Sequence, residues 1–250
     1  LGASALSSNF LHTLLEINSV NIDYKSIRKE IEKSIEAKSQ LLITYINFYS
    51  LMMLAQNENL KLLISKFNLV HLDGVGLYTG LKFLGYTKTN RFNWSDYALD
   101  FLNLAEQNKW KLYFVGADKN TIAKGRLYIQ NNYPQLQLMG WANGYGDVND
   151  ILINKINEKR PDIIWVGMGF PKQEEWIINN YKSLNTPVIQ AVGDALRLIS
   201  KEKPRGPKFI QKIGLEWLIR LIHNPRQYWK RYLIGIPLFI FRVLKEKYKK

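Results

Sequence analysis

Apolar residues fall at helical spacing from Tyr24 to Lys38, with Ile27, Ile31 and Ile35 on one face. They then run together as Leu41-Leu42-Ile43-Thr44, which reads as a short buried strand. A helix over roughly Ser50 to Lys66 precedes a second strand-like run, Leu69-Val70-His71-Leu72. Lys111 to Gly116 reads as a strand, followed by a helix through about Asn131 and another strand over Gln135 to Gly140. The alternation closes with a strand at Asp162 to Gly167, a helix from about Gln173, and a strand at Pro187 to Gly193.

Short apolar strands separated by helices predict an α/β fold, a mostly parallel, Rossmann-like sheet with helices on both faces. Ligands in such sheets gather beyond the carboxyl ends of the strands. Thr44, Asn47, Asp73, Gly116, Gly167 and Gly193 are therefore expected on a common rim. The periodicity breaks at Lys201 to Pro207, which divides a core over 1–200 from a C-terminal appendage over 201–250. In the appendage Phe209 to Ile222 reads as an amphipathic helix, and Asn224-Pro225 as the cap and start of another.

Charge sharpens that division. The last fifty residues hold fourteen Lys or Arg against three acidic residues, +11 of the chain's +14. Basic residues interleaved with Trp, Tyr, Phe and Ile suit an anionic membrane surface. Leu233 to Phe241 is about half the length of a spanning helix, so it is expected to lie in the interface, with Phe239 and Phe241 inserting. The first residues read as no signal peptide, so export is disfavoured and a peripheral location at the cytoplasmic face is expected. An apolar, basic tail also seeks cover in solution, which suggests a homo-oligomer. The absence of cysteine excludes disulfides, thiol nucleophiles and thiolate metal sites.

Asp73 is the foremost candidate for chemistry. It follows a strand directly and precedes Gly74 and Gly76, so it reads either as a general base for an acceptor hydroxyl or as a cap for the next helix. Thr44 and Asn47 offer a hydroxyl and an amide to a sugar, or satisfy a turn and a cap. In Gly167-Met168-Gly169-Phe170-Pro171-Lys172-Gln173 a glycine-rich strand end leads into a helix start suited to an anion, with Gln173 in its first turn either at the ligand or solvated.

Gly116, Gly144, Tyr145 and Gly167 are the candidate nucleotide contacts, yet they complete neither a P-loop nor a dinucleotide fingerprint. NAD and ATP are not indicated, and no cofactor is expected. His12, His71 and His223 are scattered, no paired aspartates follow a strand, and His71 reads as packed, so no metal site is expected.

Asp73-Gly74, the run GMGFPKQEEW from Gly167 to Trp176 and the run GPKFIQKIGLEWLIRLIHNPRQYWKRY from Gly206 to Tyr232 together resemble the WecG/TagA/CpsF glycosyltransferase family. The resemblance extends from about Ile17 onward. It implies a metal-independent, inverting enzyme that moves a hexose or N-acetylhexosamine, often N-acetylmannosamine, from a UDP-sugar to a polyprenyl-diphosphate-linked sugar in cell-surface polysaccharide synthesis. By the same resemblance Asp73 is the base, Thr44 and Asn47 lie in the pocket, Gln173 contacts a substrate, and Arg220, Arg226 and Arg231 complete the site from the appendage. The chain departs from the family pattern at Thr44-Tyr45-Ile46-Asn47 and at Leu196-Arg197-Leu198, which leaves the donor sugar open.

A basic nucleic-acid-binding protein is the competing class, since Lys, Arg and aromatic residues also suit phosphates and bases. Their placement among Leu and Ile in a helical tail favours lipid, and no nucleic-acid partner is expected.

Overall fold

The computed structural model describes residues 10–17, 19–20, 22–86, 94–144, 150–202, 207, 209–210 and 214–248. Its core is a seven-stranded sheet of β1 (Ser19–Val20), β2 (Leu41–Ile46), β3 (Leu69–Leu72), β4 (Lys111–Gly116), β5 (Gln137–Ala142), β6 (Ile163–Gly167) and β7 (Val188–Ala191). The strand order is β1-β3-β2-β7-β6-β4-β5, and every pairing is parallel. The central strands are apolar runs because both faces are covered. Leu42, Ile46, Ile164 and Ile189 point into one buried cluster, and Ile43, Ile163, Trp165 and Val188 into the other.

Eight helices cover these faces up to β6: α1 (Phe10–Glu16), α2 (Tyr24–Ala37), α3 (Phe48–Leu54), α4 (Glu58–Ile64), α5 (Val75–Phe83), α6 (Trp94–Gln107), α7 (Lys119–Asn132) and α8 (Asp150–Lys159). After β6 come α9 (Lys172–Asn180) and, beyond β7, α10 (Ala195–Ile199). Helix α2 begins where Asp23 accepts from the Ser26 N–H at 2.8 Å, and it buries Ile27 and Ile31 as their spacing requires.

Two expectations about elements need correction. The first strand does not end at Thr44 but continues to Ile46, which moves its rim two residues on. The single helix over Ser50 to Lys66 is two helices, α3 and α4, because Asn57 leaves the helical conformation and caps α4 through the Leu60 N–H.

The C-terminal segment is helical: α11 (Glu216–His223), α12 (Pro225–Trp229), a π-helical turn over Lys230–Ile234, and α13 (Gly235–Lys247). Pro225 occupies the first position of α12, as its fixed φ and missing N–H favour. Pro237 can supply no N–H to the turn before it, consistent with the wider π ring there.

Helix α13 packs on α3 and α5. Phe239 and Val243 are buried in the cluster shared with the sheet, and the Phe239 ring stacks on Phe10 at 5.5 Å. Gly80 makes this approach feasible, since a Cβ there would lie 2.8 Å from the Phe239 ring. Phe239 is thus a core residue rather than an inserting one, whereas Leu233, Ile234, Leu238, Ile240, Phe241 and Leu244 stay exposed. No described helix is long and apolar enough to cross a membrane.

Candidate active site

The chain leaves β2 into α3, which packs in one buried cluster, and leaves β7 into α10, which packs in the other, so a crevice opens at the carboxyl ends of these neighbours. Asp73 stands at this crevice. Its N–H still donates to the Ile46 carbonyl at 2.8 Å, so the ladder fixes its position one residue past β3. Gly74 then turns the chain at φ +91, a conformation that disfavours a side chain even though the space is open.

Asp73 does not cap α5, whose N-cap is Gly74. Its Oδ1 instead accepts from the Trp94 N–H at 2.9 Å, at the start of α6. Burial pushes the carboxyl up to about 6, against the opposing pull of the Trp94 N–H and of Arg220 and Arg231. Such a carboxylate is ionised at neutral pH and still basic enough to take a proton.

Asp73 lines a cavity of about 520 Å³ between the sheet edge and the C-terminal helices. Arg220 and Arg231 enter it from α11 and the π turn. Arg220 pairs with Glu216 at 3.0 Å, one helical turn away. The Arg231 guanidinium lies over the Tyr49 and Tyr232 rings, 5.5 and 5.7 Å from their centroids. The Nε of each arginine is buried with no hydrogen-bond partner among the described residues, a donor surplus that suits an anionic oxygen. Arg226 does not join them. It is exposed on α12 and lines neither this cavity nor the next, because α12 presents it to solvent.

A second, smaller cavity of about 170 Å³ shares Tyr45, Asn47, Asp194 and Arg231 with the first. Gly167 to Phe170, Asp118 and Arg197 form its other walls. Asn47 has both roles considered from the sequence: its Oδ1 caps α3 through the Tyr49 and Ser50 N–H groups, while the residue lines both cavities. The first turn of α9 carries Glu174 and Glu175, which weakens its attraction for an anion.

The glycines differ in their use. Gly167 lines the small cavity, but Gly116 and Gly144 do not. A Cβ on Gly116 would lie 2.3 Å from the Gly167 carbonyl oxygen, and one on Gly144 would lie 2.6 Å from the Gly116 Cα, so these two serve the close packing of strand ends. Tyr145 lies outside the described residues.

Thr44 and Gln173 are beneath the site rather than in it, and neither lines either of these two cavities. Both are fully buried. Thr44 Oγ1 donates to Glu174 Oε1 at 2.7 Å, and Gln173 Nε2 donates to the same oxygen at 2.8 Å. Gln173 Oε1 accepts from the Gly193 N–H at 3.1 Å and the Gly169 N–H at 3.3 Å. Gln173 therefore ties the loop after β6 to the loop after β7, and the wall of the small cavity depends on it. Burial pushes the Glu174 carboxyl up to about 7, although Gln173 and Thr44 donate to it.

Sequence reasoning missed Tyr45, Glu174, Asp194 and Arg197. The Gly193-Asp194 pair after β7 carries the same strand-end signal as Asp73-Gly74 and was available. Tyr45 and Arg197 stood out only as departures from the family pattern, and Glu174 had no signal, since it lies within an amphipathic run. Burial pushes the Tyr45 phenol up. His71 packs beside Tyr45, with centroids 5.9 Å apart, and burial lowers its pKa to about 3. Among the described residues no three His, Asp or Glu side chains converge as a metal site.

Residues 12–250 match the sequence model of the Glycosyl transferase WecG/TagA/CpsF family. An N-acetylglucosaminyldiphosphoundecaprenol N-acetyl-beta-D-mannosaminyltransferase of Staphylococcus aureus (strain MW2) is 30% identical over 190 residues, 75% of this chain and 73% of the relative. The protein of the same description from Bacillus spizizenii is 28% identical over 193 residues, 77% of this chain and 74% of its own.

Proposed function

Because the chain belongs to the WecG/TagA/CpsF glycosyl transferase family, we propose that it transfers a sugar from a UDP donor to a polyprenyl-diphosphate-linked N-acetylglucosamine, with inversion at the anomeric carbon. It is a glycosyltransferase of cell-surface polymer synthesis. N-acetylmannosamine is the donor sugar favoured by the names of its relatives.

One observation carries this reading. Asp73, raised to about 6, lines the larger cavity beside Arg220 and Arg231, and that cavity meets a smaller polar one through Tyr45, Asn47, Asp194 and Arg231. The larger cavity suits the acceptor and the smaller the donor, with the reacting atoms at their junction. The acceptor oxygen forms its bond to the anomeric carbon as its proton passes to Asp73, and the electron pair of the breaking bond leaves on the UDP diphosphate. Arg231, which lines both cavities, and Arg197 in the smaller one offset the developing negative charge. Arg197 sits at the departure from the family pattern, so it bears on donor choice.

The exposed apolar residues of α13, together with the +11 charge of the last fifty residues, support peripheral attachment at the cytoplasmic leaflet, where such a lipid acceptor resides. The reading is tested by a panel of UDP-sugars with N-acetylglucosamine diphosphate linked to a prenyl alcohol, in the presence of EDTA. The expected result is a β-linked disaccharide with highest kcat/KM for UDP-N-acetylmannosamine and no loss on chelation. Absence of transfer from every UDP-sugar would overturn the reading, and strict dependence on added Mg²⁺ would overturn the metal-free step.

A further inference from the structure

The charged groups of the large cavity come from the strand ends and from the elements before α13. There Asp73, Arg220, Arg231 and Tyr232 gather, while outward its walls become apolar between α5 and α13. Phe239 and Val243 form its buried floor. On the α5 side Gly76 and Gly80 lie one turn apart and contribute no side chains, so backbone and Thr79 make that wall. A Cβ on Gly76 would meet only the Phe48 ring, at an ordinary 3.4 Å, so the missing side chain there widens the cavity rather than relieving a clash.

The outer rim is Phe83, Ile240 and Leu244, which are 43%, 52% and 40% exposed. These rim residues run directly into the exposed apolar face of α13 formed by Leu238 and Phe241. Basic residues flank the mouth: Lys247 lies over the Phe83 ring at 5.8 Å, and Lys82 over Tyr78 at 5.1 Å. A cavity that holds Arg220 and Arg231 beside Asp73, Asp194 and Glu216, with apolar α13 residues along one wall and Lys82 and Lys247 near its mouth, suits an anionic head on a hydrocarbon tail.

We propose that the arm of the cavity between α5 and α13 holds the first isoprenyl units of the acceptor, threaded from the exposed face of α13 so that the diphosphate reaches Arg220 and Arg231. This rests on the polyprenyl-linked acceptor of the reading above. It assigns α13 a role besides attachment, since one wall of the lipid site is the same helix that presents Phe241 outward. A bound tail then sets how deep the acceptor sugar sits relative to Asp73.

The test joins a binding probe with turnover. A farnesyl diphosphate analogue carrying a terminal diazirine is photolysed with the full chain, and labelled peptides are mapped. Transfer is measured in parallel to N-acetylglucosamine diphosphate esterified with farnesol or with ethanol. Thr79→Trp and Ile240→Trp narrow the arm from exposed positions, and Leu127→Trp, exposed on α7 away from the cavity, serves as a control.

Labelling is expected in α5 and α13, competed by unlabelled farnesyl diphosphate and lost in Thr79→Trp. The farnesyl acceptor is expected to exceed the ethyl one in kcat/KM by about tenfold or more, from buried methylene groups. Thr79→Trp and Ile240→Trp should remove most of that preference, the farnesyl acceptor falling toward the ethyl one, and Leu127→Trp should keep it. Labels elsewhere, or an undiminished preference in both blocking variants, would overturn the proposed site even with transfer intact. Labelling of α5 and α13 without transfer to either acceptor would retain a prenyl diphosphate site and overturn the acceptor reading instead.

Discussion

The backbone N–H of Trp94 donates to Asp73 Oδ1 at 2.9 Å, so the first residue of α6 orients the carboxylate that stands one residue past β3. The contact fixes the acid without neutralising it, and burial still outweighs it in setting the proton affinity. Asp73→Asn keeps an acceptor for that N–H and removes the base. Its kcat is expected to fall by about 10²–10⁴ with UDP affinity by calorimetry unchanged. A near-normal single-turnover rate would exclude Asp73 as base.

The same carboxyl predicts a pH profile. As the proposed base Asp73 must be ionised, and folding raises its pKa from 3.8 to about 6. The kcat/KM of the unmodified chain should therefore rise tenfold per unit up to about pH 6 and level above it. A profile already flat at pH 5 would assign the proton transfer to another group.

Gln173→Ala is expected to act through the loops it joins. The Gly169 and Gly193 N–H groups lose their acceptor and Glu174 loses a donor, each worth about 1–3 kcal/mol when left buried. The unfolding midpoint should drop and the donor KM should rise together. A raised KM with an unchanged midpoint would place Gln173 against the ligand itself.

Glu174 predicts how stability varies with pH. Its carboxyl goes from 4.5 to about 7 on folding because burial disfavours the charged form, outweighing the opposing pull of the Gln173 and Thr44 donors on Oε1. Between those values the folded state binds more protons than the unfolded one. Its contribution is thus fully present below about pH 4.5 and lost as pH rises through about 7, at about 1.4 kcal/mol per unit at the steepest. Asp73 adds a loss of the same sign between 3.8 and about 6. Urea denaturation of Glu174→Gln should show a flatter decline from about pH 4.5 to 7, and parallel curves for the two chains across that window would contradict it.

Two phenylalanines two residues apart on α13 should separate packing from attachment. Phe239→Ala empties a buried site against Phe10 and Gly80, with an expected loss of about 3–5 kcal/mol. Phe241→Asp changes an exposed position and should leave the midpoint within about 0.5 kcal/mol while weakening sedimentation with anionic vesicles. Vesicle binding unaffected by Phe241→Asp would remove this helix face from membrane attachment.

The parallel sheet was legible in the sequence because strands buried on both faces must be apolar throughout, as Leu41 to Ile43 and Ile163 to Val166 are. Asp73 was legible too, since a carboxylate and a positive-φ glycine at a strand end form a local signal. The composition of the basic, aromatic tail sets only an expectation of an anionic, apolar partner. Contact across long separations was decided only by the fold. Thr44 and Glu174 are 130 residues apart, Gln173 and Gly193 are 20 apart, and which of them faces a cavity depends on how far β2 continues and how the loops close over it. The three arginines look equivalent in sequence. Helical phase and the π turn bring Arg220 and Arg231 to Asp73 and turn Arg226 to solvent, and likewise bury Phe239 while exposing Phe241, because orientation is set by packing that no local pattern encodes.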